Sequence, residues 1–186
     1  MAELIIGGVR SGKSALANAR ARQSGLQVVY LATARAEDPE MARRVAHHRA
    51  ERPAQWSSVE EPLHLGAALR RHAGPRTCIL VDCLTLWLSN LFFAGRAATQ
   101  AEAGAQVDCP LLADQTAALL QCLPVLAGRL ILVSNEVGSG IVPVSAVGRA
   151  FADEQGRLNQ KVAAACDRVT LTVAGLPLEL KGAPRG

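Results

Sequence analysis

Short apolar runs alternate along the chain with longer stretches of helical spacing. Leu4-Ile5-Ile6 ends at Gly7 and reads as a buried strand, and residues 14–24 read as a helix stopped by Gly25. Residues 27–33, carrying Val28, Val29, Tyr30 and Leu31, form the second predicted strand. Asp38-Pro39-Glu40 supplies an Asp N-cap, a proline at the first helical position and an acid in the first turn. A helix is therefore predicted from there to about Glu51, ahead of Pro53. Residues 56–59 predict a short strand, 62–72 a helix, and 77–83 a strongly apolar strand with Asp82 near its end. Residues 84–93 are apolar nearly all round, as in a buried helix. Residues 95–110 are small and polar in character and predict a loop or lid. A helix over 111–127, a strand over 129–135 and a long helix over 145–166 follow. Residues 168–173 and 176–180 close the chain as a pair of strands around Gly175.

Strands that alternate with helices point to an α/β fold: a mostly parallel sheet flanked by helices, with the closing pair adding an antiparallel edge strand. The 186 residues show no internal repeat and no long linker, which predicts a single domain over 1–186. A chain of this size buries roughly 70% of its unfolded surface, enough for a core without staples. Hydrophobic residues make up 49% of the chain but aromatics only 3%, so that core is Leu, Val, Ile and Ala. The net charge of +4 is spread over the helices without a compact basic run, which argues against a nucleic-acid partner. The five cysteines are odd in number and form no C-x-x-C pair, which argues against a disulfide framework or a zinc site. Without a leader-like segment or a membrane-length apolar stretch, the expected location is the cytoplasm.

The chemistry begins at the first strand–helix junction. Gly7-Gly8-Val9-Arg10-Ser11-Gly12-Lys13-Ser14 matches the P-loop pattern in full. Glycines permit backbone angles that let loop amides converge on an anion, and the following helix adds its positive end. Lys13 reaches the outer phosphates and the Ser14 hydroxyl is a ligand for Mg²⁺. Ile79-Leu80-Val81-Asp82 supplies an apolar strand ending in a carboxylate, a second magnesium ligand or else a cap for the next helix; the P-loop favours the magnesium role. No N-K-x-D segment for reading guanine follows, since Asn135 precedes Glu136, and this argues against a GTP-dependent switch.

His47-His48 falls inside the predicted second helix, where Glu40, Arg44, His47 and Glu51 share one face. Adjacent helical positions diverge by about 100°, so the two rings cannot easily share a metal ion. Spacing alone leaves the pair either solvated and inert or catalytic.

Taken in order, these segments resemble a known family, the bifunctional adenosylcobinamide kinase / adenosylcobinamide-phosphate guanylyltransferases of cobalamin biosynthesis. The resemblance rests on the P-loop, Tyr30-Leu31-Ala32-Thr33, Asp38-Pro39-Glu40-Met41-Ala42-Arg43-Arg44 and His47-His48-Arg49. It continues through Arg52-Pro53-Ala54-Gln55-Trp56, Leu80-Val81-Asp82-Cys83-Leu84-Thr85, residues 133–143 from Val133-Ser134-Asn135-Glu136 onward, and Gly156-Arg157-Leu158-Asn159-Gln160. It implies a P-loop NTPase fold of RecA-like type and an enzyme with two activities. One phosphorylates adenosylcobinamide with ATP or GTP. The other passes GMP from GTP through a histidine to the resulting phosphate, giving adenosyl-GDP-cobinamide. By the same resemblance His47 carries the guanylyl group, and Lys13 assists catalysis. Gly7 to Ser14, Thr33, Ala34, Arg35, His48, Arg49, Ala50, Glu51, Glu60 and Asp82 bind nucleotide, and Ser14 and Asp82 hold Mg²⁺. The family forms homotrimers, and the apolar helix over 84–93 is a candidate interface. The segment from Gly95 to Val107 departs from the family pattern, at a place where substrate access is set. Glu136 ends a strand at the ligand edge, where a loop-ordering role and a substrate role are equally open. Trp56, Trp87, Phe92 and Phe93 read as packing or subunit-contact residues.

Overall fold

The computed structural model describes residues 1–35, 43 and 53–182. One sheet carries β1 (Ala2–Gly7), β2 (Gln27–Ala32), β3 (Ser57–Glu60), β4 (Thr77–Asp82), β5 (Arg129–Asn135), β6 (Arg168–Val173) and β7 (Leu176–Lys181). The strand order is β3-β2-β4-β5-β1-β6-β7, and every pairing is parallel except that of β6 with β7. This is the α/β architecture expected, with its antiparallel strand at the edge. The helices are α1 (Lys13–Gln23), α2 (Leu65–His72), α3 (Leu84–Ala94), α4 (Ala97–Glu102), α5 (Pro110–Cys122) and α6 (Ala146–Ala165), with a 3₁₀ turn at Leu123–Val125 before β5. The helix expected over 38–51 lies outside the described residues, apart from Arg43, which is helical.

Strands buried on both faces read as unbroken apolar runs rather than alternating ones, and the alternation emerges only in the packing. Leu4, Val29, Leu31, Val81 and Leu132 face one side, against Leu69, Trp87, Leu91, Leu119 and Val162 of the later helices. Ile5, Val28, Tyr30, Leu80, Ile131 and Val133 face the other, against Ala17 and Ala21 of α1. The small alanines let α1 lie close to the sheet, which brings its first turn over the strand ends. Its Arg20 ties the helix down: the guanidinium pairs with the fully buried Glu3 of β1 and with Glu179 of β7.

Helix α3 buries Leu84, Trp87, Leu88, Leu91 and Phe92. Burial of each leucine contributes about 1.5–3 kcal/mol, so the apolar surface of this helix is committed to the core. Phe93, 63% exposed, is the aromatic that remains outside. The five cysteines are all buried free thiols. Burial pushes Cys83 up to about 11 and Cys166 up to about 12.

Three boundaries differ from expectation for identifiable reasons. Helix α2 starts at Leu65 rather than 62, because the Glu61 carboxylate accepts from the Leu63 and His64 amides (3.1 and 2.8 Å) and holds a turn there. Residues 95–110 are not a plain loop: 97–102 form α4, since alanine is the best helix former whatever its polarity suggests. Arg96 and Gln100 then bond Asp108 and close the segment back on itself. The helix predicted to reach 127 stops at Cys122, and Pro124 belongs to the 3₁₀ turn that follows.

The β6–β7 hairpin turns through Ala174 (φ 51°) and Gly175 (φ 81°). A left-handed alanine costs about 1 kcal/mol that glycine does not. Ala174→Gly is therefore expected to raise unfolding stability by about 1 kcal/mol, read from the urea midpoint at unchanged slope; a lower midpoint would contradict this account of the turn.

Candidate active site

Parallel strands end together, and the ends of β1, β5 and β4 lie side by side at the edge from which α1 rises. Alternation decides what they present. Val133 and Leu80 pack on the α1 side, so two residues further on, Asn135 and Asp82 also project toward α1. The link from Gly7 to Lys13 crosses in front of them. A cavity of about 380 Å³ is lined by Val9 to Ala15 and by Asn135.

The loop backbone is shaped to receive an anion. Arg10 (φ 56°) and Gly12 (φ 95°) take left-handed angles, which turn successive amides to one side. Gly12 caps α1 without a side-chain bond, and the first turn holds no acid, so its amides keep their anion-binding capacity. Amides that converge inward send carbonyls outward, and those need partners of their own. The Ser11 carbonyl finds one in the Gly175 amide of the β6–β7 turn, at 2.9 Å. The approach is close: a Cβ on Gly12 would lie 3.0 Å from Gly175 Cα, and one on Gly7 would lie 2.5 Å from the Thr172 carbonyl. The C-terminal hairpin thus forms the outer wall of the loop.

Lys13 Nζ donates to the Gly8 carbonyl across the loop (3.0 Å). Burial lowers its pKa from the ordinary lysine value, while the neighbouring Cys83 and Asp82 act in the opposite sense. Asp82 Oδ2 accepts from the Tyr30 hydroxyl at 2.5 Å. Tyr30 is 3% exposed and paired in register beside Leu80, so it reaches along the sheet face to fix the carboxylate. Among the described residues no group of three His, Cys, Asp or Glu gathers to hold a metal. Magnesium does not need one: it keeps waters and binds through one or two protein oxygens together with substrate phosphates. The Ser14 hydroxyl and the Asp82 carboxylate are oxygen donors of the kind such an ion takes.

The other expected residues fall in three places. Thr33, Ala34 and Arg35 follow β2 directly, next to Asp82. The Thr33 hydroxyl is engaged on both sides by Cys83, donating to its carbonyl (2.7 Å) and accepting from its amide (3.0 Å). It therefore clamps the end of β4. Glu60 ends β3 and is exposed, four strand spacings from β1. That is about 19 Å away, beyond the reach of the phosphate loop. His47, His48, Arg49, Ala50 and Glu51 lie outside the described residues. Sequence reasoning missed Asn135, Tyr30 and Gly175. Carrying the alternation of the 129–135 strand through to its last residue would have found Asn135; the other two depend on pairings between distant segments.

Comparison with known proteins agrees with this geometry. Residues 3–180 match the family described as cobinamide kinase / cobinamide phosphate guanyltransferase. The chain is 53% identical over 184 residues to the bifunctional adenosylcobalamin biosynthesis protein CobP of Pseudomonas aeruginosa, covering 99% of each. It is 38% identical over 179 residues to the bifunctional adenosylcobalamin biosynthesis protein CobU of Escherichia coli, covering 96% of this chain and 98% of that one. Among solved structures, the fold is similar to the assembled ATPase EscN of the enteropathogenic E. coli type III secretion system (TM-score 0.53, 13% identity, covering 93% of this chain and 43% of that one). A prototypical type III secretion ATPase is similar at TM-score 0.52 and 14% identity, covering 96% of this chain and 56% of that one. The chain spans about half the length of these ATPases and shares the P-loop fold with them. A phosphate loop, a strand-end carboxylate and a family match running nearly end to end place the chain in the cobinamide kinase / cobinamide phosphate guanyltransferase family of bifunctional enzymes.

Proposed function

We propose that this single-domain protein phosphorylates the aminopropanol hydroxyl of adenosylcobinamide with ATP or GTP and then guanylylates the product. The observation that carries the reading is the loop from Gly7 to Ser14, opened on uncapped α1 amides with Lys13 near Asp82. In the first reaction the substrate hydroxyl attacks the terminal phosphorus, the bond to the nucleoside diphosphate breaks, and the hydroxyl proton leaves to solvent. In the second, a neutral imidazole nitrogen of His47 attacks the α-phosphorus of GTP and pyrophosphate departs. A phosphate oxygen of adenosylcobinamide phosphate then attacks the same phosphorus, frees the imidazole and forms adenosyl-GDP-cobinamide. The loop amides and Lys13 hold the polyphosphate through both reactions. Magnesium on Ser14 and Asp82 would neutralise phosphate charge. Thr33, Ala34, Arg35, His48, Arg49, Ala50, Glu51 and Glu60 complete the nucleotide site in this reading. Glu60, far from the loop, belongs to its nucleoside end.

The enzyme works in the cytoplasm as a homotrimer in this reading; no helix among the described residues is long and apolar enough to cross a membrane. On α3 the exposed Phe93 is available for such a contact, and Ile141 and Val144, 97% and 96% exposed after β5, are further apolar surface of the kind subunits cover.

The test is label retention. GTP labelled at the α-phosphate should leave a protein adduct that is stable in base and lost in acid; a chain that turns over but never retains label has no covalent histidine step. A second measurement addresses the ion. Asp82→Asn is expected to weaken both reactions and to raise the Mg²⁺ needed for half-maximal rate about tenfold or more, with an unchanged circular dichroism spectrum. An unaltered Mg²⁺ dependence would remove Asp82 from the ion.

A further inference from the structure

We infer that Asn135 is a phosphate-binding side chain beside Lys13, acting on the terminal phosphoryl group and so serving the kinase reaction selectively. The inference rests on the proposed function, in that it takes the Gly7–Ser14 cavity as the triphosphate site.

Position comes first. β5 lies between β1, which carries the loop, and β4, which carries Asp82. Asn135 pairs in register with Gly7, and Glu136 N donates to the Gly7 carbonyl at 3.0 Å, which locks the end of β5 to the start of the loop. Asn135 is half-buried and contributes to the cavity wall, the rest of which is residues 9–15. The loop and α1 amides are placed to wrap the inner phosphates, which leaves the outermost one to the rest of the wall, and Asn135 is the lining residue that comes from outside the loop and α1.

The support beneath Asn135 is a second and independent observation. Its amide donates to Thr85 Oγ1 at 2.8 Å, and its carbonyl accepts from Asn159 Nδ2 at 3.0 Å. Asn159 is held in turn by Ser134, whose hydroxyl donates to Asn159 Oδ1 at 2.7 Å. Gln155 Nε2 reaches both Ser134 Oγ and Asn159 Oδ1 at 3.0 Å. Ser134, Gln155 and Asn159 are all buried, and Gln155 Oε1 has no hydrogen-bond partner. An orphaned buried oxygen costs about 1–3 kcal/mol, which apolar residues joining α6 to β5 would not incur. The cluster therefore serves placement: it fixes the Asn135 backbone so that the carboxamide enters the cavity at one height.

A carboxamide there donates a neutral hydrogen bond through Nδ2 to a non-bridging oxygen of the phosphoryl group in transfer. No proton moves to or from Asn135. Guanylyl transfer breaks the bond between the α- and β-phosphates and leaves the terminal group intact, so it draws little on this contact.

The experiment compares Asn135→Ala, Asn135→Asp and Asn159→Leu. Triphosphate and monophosphate affinities are measured by titration, and single-turnover rates are followed for phosphoryl transfer and for adduct formation. Asn135→Ala is expected to slow phosphoryl transfer about a hundredfold, with triphosphate affinity and the adduct rate within about threefold. Asn135→Asp places a carboxylate against the terminal phosphate and should weaken triphosphate binding about tenfold while leaving monophosphate binding unchanged. Asn159→Leu, which removes the bond to the Asn135 carbonyl along with those to Ser134 and Gln155 and leaves the cavity lining unchanged, should give a smaller loss with the same selectivity. Equal losses in both reactions, or a phosphoryl-transfer rate within twofold of native in Asn135→Ala, would overturn the inference. Failure of the underlying reading has a different signature: Lys13→Ala would then bind triphosphate as tightly as the native chain.

Discussion

Lys13→Ala is expected to remove phosphoryl transfer and guanylyl transfer together. The Nζ atom sits inside the loop on the Gly8 carbonyl, beside Asp82, in a setting where burial already disfavours its charge. A triphosphate reverses that balance by bringing several negative charges to the ammonium, and it needs them offset again in each transition state. Removing one such group from a preorganised site costs about 3–4 kcal/mol, or roughly a hundred- to a thousandfold in rate. Both reactions lose it, because one loop serves both nucleotides. Lys13→Arg should not restore either, since the planar guanidinium lacks the compact point charge that fits within the loop. Near-native rates for either reaction in Lys13→Ala would show that the nucleotide of that reaction binds elsewhere.

His47→Ala is expected to split the two activities. Phosphorylating a hydroxyl asks for positioning and charge stabilisation, which the loop, Lys13 and the metal supply. Guanylyl transfer through a covalent intermediate asks for a lone pair that a methyl group cannot provide. The adduct and GDP-cobinamide formation should fall on the order of 10⁴-fold or more, while kinase activity remains measurable. His48→Ala should keep the adduct and show weaker nucleotide binding. If the adduct survives in His47→Ala and disappears in His48→Ala, the nucleophile is the second ring. If both variants form it normally, guanylyl transfer does not pass through this pair, and a kinase with inert histidines is the better account.

What could be read from the chain beforehand divides along a physical line. The phosphate loop is encoded within eight consecutive residues, and Asp82 by the apolar strand before it, so both were legible without any partner. The sheet was legible because strands buried on both faces leave apolar runs separated by helical spacing. Alanine misled at 97–102, where small size suggested a loop and helix propensity decided otherwise. Residues whose role depends on register across the sheet were illegible. Tyr30 meets Asp82 only because β2 and β4 pair with Leu80 opposite Tyr30. Gly175 meets Ser11 only because β6 lies against β1. Thr33 entered as a nucleotide residue through the resemblance alone, and the two bonds of its hydroxyl to Cys83 depend on a contact between distant segments that the sequence does not display.

The hairpin wall behind the phosphate loop bears on how this molecule is made. β1 is made long before either of its neighbours in the sheet: Leu4 pairs with Leu132 on one side and Val169 on the other. The Asp167 carboxylate that accepts the Ala2 amide lies 165 residues away. At ordinary elongation rates that distance takes roughly 10–30 s to synthesise, and through that interval the loop has neither flanking strand nor outer wall. Until Gly175 has emerged, the Ser11 carbonyl lacks the partner it has in the finished loop, so the loop with its outer wall is complete only when strands far apart in the sequence have met.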